Sequence, residues 1–147
     1  MTATWLLGGA AALLLSASAL AAEPVGQVKT ASGDAALLRD GQRLAAKPGD
    51  AVQEKDVIET GKDGAIGVTL IDNTVISAGP NSQIALEEYS FNSSSFTGSM
   101  LADMRKGTAT MVSGDIARGS PDAMKVRTPT AIMGVRGTYF AVQVAER

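Results

Sequence analysis

After residue 23 the chain is built of short runs in which every second residue is apolar. In Ala65-Ile66-Gly67-Val68-Thr69-Leu70, the side chains of Ile66, Val68 and Leu70 share one side, and small or polar residues take the other. Gln83-Ile84-Ala85-Leu86-Glu87 repeats the pattern, and Phe140, Val142 and Val144 continue it near the end. A period of two over so few residues specifies β-strands with one buried face. Turn chemistry separates the runs at intervals of about eight to twelve residues. Arg39-Asp40-Gly41, Lys47-Pro48-Gly49-Asp50, Lys62-Asp63-Gly64 and Lys106-Gly107 each offer a Gly able to take positive φ, and Ala78-Gly79-Pro80-Asn81 adds a Pro with fixed φ.

The pattern predicts strands over 25–30, 34–38, 42–45, 56–60, 65–70, 74–78, 83–89, 99–105, 108–113, 124–128, 131–135 and 138–144. The fold class is therefore all-β: a single domain of many short antiparallel strands, arranged as a sandwich or as β-helix-like stacked sheets. No internal repeat is strong enough to specify a solenoid. Two stretches break the rhythm. Residues 90–98 read as a polar loop whose Phe91 and Phe96 pin it to the core, in preference to serving as exposed ligand contacts. Residues 114–122 form a second long connection with room for one helical turn.

The start of the chain has a different character. From Trp5 to Ala22 there is no charged residue, the apolar stretch centres on Leu13-Leu14-Leu15, and Ala19-Leu20-Ala21 supplies a small-x-small cleavage pattern. Residues 1–22 are expected to be a signal peptide cleaved near Ala21 or Ala22, and 23–147 to be the exported domain. No Lys or Arg precedes the apolar run, so the usual orienting charge is absent. The alternative is an uncleaved anchor in the inner membrane, because about 18 apolar residues can just span a bilayer.

Composition narrows the chemistry. The chain has 147 residues, formal net charge −2, no His and no Cys. Near-neutral charge disfavours nucleic acid as a partner. Without His or Cys the commonest general base, the commonest zinc ligands, cysteine nucleophiles, disulfides and lipid attachment through cysteine are all excluded. No Ser-x-x-Lys and no Gly-x-Ser-x-Gly elbow occurs. Glu87-Glu88 are strand neighbours expected to face opposite sides, so they cannot flank one bond. Asp63, Asp72 and Asn73 could offer oxygens to calcium, but no acidic loop approaches the ligand number that calcium takes. The expectation is a protein that is not an enzyme and uses no metal or cofactor.

The C-terminal run Lys125-Val126-Arg127-Thr128-Pro129-Thr130-Ala131-Ile132-Met133-Gly134-Val135-Arg136-Gly137-Thr138-Tyr139-Phe140-Ala141-Val142 resembles the closing signature of FecR-like domains: a Thr-Pro step, an apolar strand, then Val-Arg-Gly-Thr before an aromatic. Upstream pieces fit in order. Gly26-Gln27-Val28 opens the domain, and Gly49-Asp50 precedes Asp56-Val57-Ile58-Glu59-Thr60-Gly61. Asp72-Asn73-Thr74 through Ser82-Gln83-Ile84 then follows, with Asn73 where the family usually has Gly, an exchange tolerated because Asn accepts positive φ. The resemblance implies an all-β periplasmic domain whose motif positions are Asp56, Thr60, Gly61, Asp72, Ser82, Thr128, Pro129, Arg136, Gly137 and Thr138, mostly structural and open to a binding role.

The name-giving members of that family receive a signal from an outer-membrane transporter and control a sigma factor across the inner membrane. This chain has a signal-like N-terminus instead of a cytoplasmic part, so the domain transfers and the circuit does not. The expected role is that of a non-enzymatic, exported interaction or signal-sensing module of the bacterial envelope, periplasmic or secreted, whose partner is another envelope protein. Membrane contact is expected only through an uncleaved N-terminus. A small-ligand or surface-glycan binding domain is the alternative, limited by the scarcity of aromatics: Tyr89, Phe91, Phe96, Tyr139 and Phe140.

Within the motif, Pro129 cannot donate to a ladder and is expected at a strand start or edge, while Gly134 and Gly137 allow a bend or bulge around Arg136. For Arg136 a structural role, tying carbonyls or a carboxylate such as Asp72 or Asp56, is preferred to exposed anion recognition.

Overall fold

In the computed structural model, residues 22–120, 122–135 and 139–145 are described. The expected signal peptide, the anchor that is its alternative, and the motif residues Arg136, Gly137 and Thr138 lie outside them. The strands are β1 (Gly26–Ser32), β2 (Ala35–Arg39), β3 (Gln42–Ala45), β4 (Ala51–Val52), β5 (Val57–Thr60), β6 (Ala65–Leu70), β7 (Val75–Ala78), β8 (Gln83–Asn92), β9 (Thr97–Val112), β10 (Met124–Arg127), β11 (Ile132–Gly134) and β12 (Tyr139–Val144), with one short helix α1 (Asp115–Gly119).

The protein is all-β, a single strongly curled sheet in the shape of a half-barrel, with path β3-β2-β5-β8-β9-β7-β6-β1-β4. The strand β9 organises it. Its first half pairs with β8 on one side and, in parallel, with β10 on the other, and its second half pairs with β7 and β12. The stacked sheets anticipated from the sequence are thus the two arms of one continuous sheet, joined through β9. The joint is Gly107, whose φ of 92° is open to glycine and strained for other residues. A Cβ there would press into Ser82. The sequence expectation of separate strands at 99–105 and 108–113 is corrected: Lys106-Gly107 bends the chain without reversing it, because partners on both sides continue the ladder.

The hairpin turn Asp40-Gly41 between β2 and β3 has both residues at positive φ, 50° and 76°, as a two-residue turn matched to strand twist requires. The two-residue strand β4 was not anticipated; it exists because Gly26 and Gln27 of β1 offer it a ladder. Residues 90–98 are not a loop but the end of a hairpin, with β8 running to Asn92 and β9 starting at Thr97. Phe91 packs against the core, whereas Phe96 stacks edge-on against it at 6.5 Å between ring centres and is exposed, so only one of the two phenylalanines pins this segment. The single helical turn allowed for residues 114–122 is α1.

Between the arms lies a core of Val28, Val52, Ile58, Val68, Ile76, Ile84, Leu86, Met104, Met111, Met124 and Val126, all 0–1 % exposed. Ile66, Val68 and Leu70 are buried together, as the two-residue period required. A bulge in β8 between Leu86 and Glu88 changes that period locally. Leu86 and Tyr89 are both buried, three positions apart, and neither Glu87 nor Glu88 is. The expectation that these glutamates face opposite sides is therefore corrected.

Candidate functional site

The described motif positions resolve into three clusters within the fold and one surface turn. Asp56 sits in the turn before β5 and is 1 % exposed. Arg39, at the end of β2, grips it with a fork: Nε donates to Oδ1 at 2.8 Å and Nη2 to Oδ2 at 2.6 Å. The backbone N–H of Gln53 adds a third bond to Oδ2, and Arg39 Nη2 also reaches the Ala51 carbonyl. Two parallel charge-assisted bonds of this kind fix both partners in plane. The Asp56 hydrogen bond in turn holds the Arg39 guanidinium above its ordinary pKa.

The second cluster closes the turns at the sheet's waist. Thr60 Oγ1 donates to the Gly79 carbonyl at 2.6 Å and accepts from the Ser82 N–H at 2.9 Å. Ser82 Oγ in turn bonds both the carbonyl and the N–H of Thr108, each at 3.0 Å, next to the Gly107 bend. Gly61 follows Thr60 because a Cβ would collide with the Asp34 carboxylate. Three chain reversals distant in sequence are thereby sewn together.

Asp72 organises the third cluster and is fully buried. Its carboxylate accepts from Tyr89 Oη (2.7 Å), Thr74 Oγ1 (2.7 Å), Thr74 N (3.2 Å) and Ile116 N (3.2 Å). The Asp72 carbonyl accepts the Asp115 N–H, and Thr74 Oγ1 accepts that of Gly114, so the first turn of α1 hangs on this corner. Asn73 takes φ 68°, the left-handed conformation foreseen for an Asn in a Gly position. Burial, followed by the bond to Asp72, pushes the Tyr89 hydroxyl pKa well above its ordinary value.

The sequence marked neither Arg39 nor Tyr89 as a partner, although they complete two of the three clusters. Tyr89 was counted among aromatics available to a ligand, and its burial removes it from that set. Asp56 and Asp72, the carboxylates suggested for Arg136, have these partners among the described residues, and Arg136 itself lies outside them. Among the described residues no group of three His, Cys, Asp or Glu side chains, Asp63 and Asp72 included, is placed to hold a metal ion.

Thr128 and Pro129 are the described motif residues that reach the surface. They form the turn between β10 and β11, where Thr128 accepts the Ala131 N–H on its hydroxyl and Pro129 stands clear of the ladder, as its missing donor demands. The turn walls an open cleft of about 620 Å³ whose other sides are Arg105, Lys106, Gln143 and Val144. On the sheet face nearby, Arg127 lies 3.2 Å from Asp103 and 3.8 Å from Glu87, and Arg105 also reaches Glu87 at 3.6 Å. Lining the cleft with cations and hydroxyls gives it the means to accept anionic or carbonyl groups.

A family model described as FecR protein matches residues 56–147. No curated protein and no solved structure matches the chain. The match starts at Asp56, so the opening pieces Gly26-Gln27-Val28 and Gly49-Asp50 lie outside it, although β1 and β2 are integral to the same sheet through β6 and β5. Since the match spans more than half of the sequence and carries Asp56, Thr60, Gly61, Asp72, Ser82, Thr128 and Pro129, the chain belongs to the FecR family.

Proposed function

We propose that this chain is a non-enzymatic, exported module of the bacterial envelope that binds another envelope protein, in an interaction or signal-sensing role. One observation carries the reading: Asp56, Thr60, Asp72 and Ser82, polar motif residues of the FecR domain, are spent inside, on Arg39, on backbone turns and on Tyr89, and so serve architecture. What the fold then offers outward is strand edges and the Thr128–Pro129 cleft, surfaces suited to gripping a polypeptide. The charge-poor start of the chain supports export.

Two measurements test the proposal separately. Fractionation of native cells places the product beyond the inner membrane if the reading is right, and a product held in the cytosol ends it. Photo-cross-linking from position 130, beside the cleft, should capture one discrete envelope protein that the same probe at Lys29, on the far arm, does not. Equal recovery from both positions would remove the interaction role.

A further inference from the structure

The described residues leave β3, β4, β11 and β12 at the rims of the sheet, and these differ in how they guard against pairing. The four-residue strand β3 carries Arg43, held by Asp34 at 2.6 Å and Glu59 at 3.0 Å. Self-pairing of β3 would bring two such arginines together. The strands β4 and β11 have only two and three residues. By contrast β12 is six residues long, Tyr139-Phe140-Ala141-Val142-Gln143-Val144, with no charge, no Pro and no break in its ladder to β9. Long, uncharged, regular edges are the ones that recruit another strand.

We infer that β12 pairs antiparallel with β12 of a second copy of this chain, extending the sheet across a two-fold axis. The strand's own sequence selects the occupant. A two-fold at Ala141 sets this small residue against its counterpart, Phe140 against Val142 on the inner face and Tyr139 against Gln143 on the outer face. An aromatic opposite a β-branched residue is a favourable cross-strand pair, and no like charges meet at any position. The isologous geometry is closed, so it stops at two copies. It would also cover Tyr139, which is 66 % exposed, and continue the half-buried row of Phe140 and Val144. This inference is independent of where the protein resides and of any envelope partner.

Sedimentation equilibrium of the full chain over a range of concentrations should show a reversible monomer–dimer equilibrium. A wild type that remains monomeric up to its solubility limit overturns the inference. Ala141→Lys, at an exposed position, should weaken dimerisation at least about tenfold by opposing two charges across the axis. Ala141→Glu should do the same, and an equimolar mixture of the two should regain the dimer, which a misfolded variant could not do. Gln27→Lys, on the exposed side of β1, should leave the equilibrium unchanged. A dimer indifferent to Ala141→Lys, or a mixture that stays monomeric, would exclude this edge.

Discussion

Asp56 and Asp72 are both buried carboxylates in turns of the same sheet, yet they are accommodated in opposite ways. Asp56 lies close enough to the surface to meet Arg39, whose side chain is 26 % exposed, and its charge is balanced by a cation that itself keeps some hydration. Among the described residues no basic side chain bonds the Asp72 carboxylate; two hydroxyls and two backbone N–H groups share the negative charge. The first solution ties together β2, the β4 segment and the approach to β5. The second anchors α1 and the β6–β7 turn to β8. Salt can weaken an ion pair at the rim but barely touches hydrogen bonds in the interior, so the two corners should respond differently to the same perturbations.

The largest effect is expected at Asp72. Asp72→Ala leaves Tyr89 Oη, Thr74 Oγ1 and two N–H groups without their acceptor, and buried unsatisfied donors cost about 1–3 kcal/mol each before relaxation. A net loss of about 4 kcal/mol in urea unfolding is expected, with loss of the helical turn. A loss under about 1 kcal/mol would mean that water or rearrangement replaces the carboxylate, and the contrast with Asp56 would collapse.

Arg39→Ala comes next. Among the described residues it leaves the Asp56 carboxylate with the Gln53 N–H as its remaining donor, and breaking one side of a buried pair costs about 3 kcal/mol. The partial exposure of Arg39 makes Asp56→Ala the milder of the two, at about 2 kcal/mol, since the guanidinium can turn to solvent. Equal losses from both variants would show that the pair is not asymmetric in hydration.

Tyr89→Phe removes the two hydrogen bonds its hydroxyl makes to Asp72, one donated to Oδ1 and one accepted from the backbone N–H, and should cost about 1.5 kcal/mol. It also carries a pH signature. The folded-state pKa of Tyr89 lies above that of an unfolded tyrosine, about 10. Its contribution is therefore complete below about pH 10 and declines as pH rises beyond it, because the unfolded chain releases a proton that the folded chain retains. Stability measured from pH 8 upward should fall more steeply for the wild type than for Tyr89→Phe; parallel curves would separate Tyr89 from the alkaline loss.

How far these corners were legible in the sequence follows from the range of the forces involved. Ile66, Val68 and Leu70 declared their buried face because strand periodicity is local, and Asn73 declared its left-handed turn because that preference belongs to the residue itself. The motif residues Asp56, Thr60, Ser82 and Asp72 could be located but not interpreted. Their partners come from other strands: Arg39 is 17 positions from Asp56, and Tyr89 is 17 from Asp72. Gly107 was misread as a turn for the same reason, since only the neighbours β8, β10, β7 and β12 determine that the strand continues through it. The β8 bulge likewise depends on register against β9, which no single strand encodes.

A third carboxylate environment sets the scale at the small end. Asp103 and Glu87 meet Arg127 and Arg105 on the solvent side of the sheet, at distances from 3.2 to 3.8 Å. The Asp103 hydrogen bond holds the Arg127 guanidinium above its ordinary pKa, but both arginines keep more than a third of their side chains in water. Hydration already satisfies such groups, and ordering two long side chains offsets the attraction. Arg127→Ala should therefore leave stability almost unchanged at physiological salt, and any small effect should shrink further at high salt. If it instead approached the Arg39→Ala loss, burial could not be what separates Asp56 and Asp72 from the surface carboxylates, and the ion-pair network across β8, β9 and β10 would have to be counted as part of the frame.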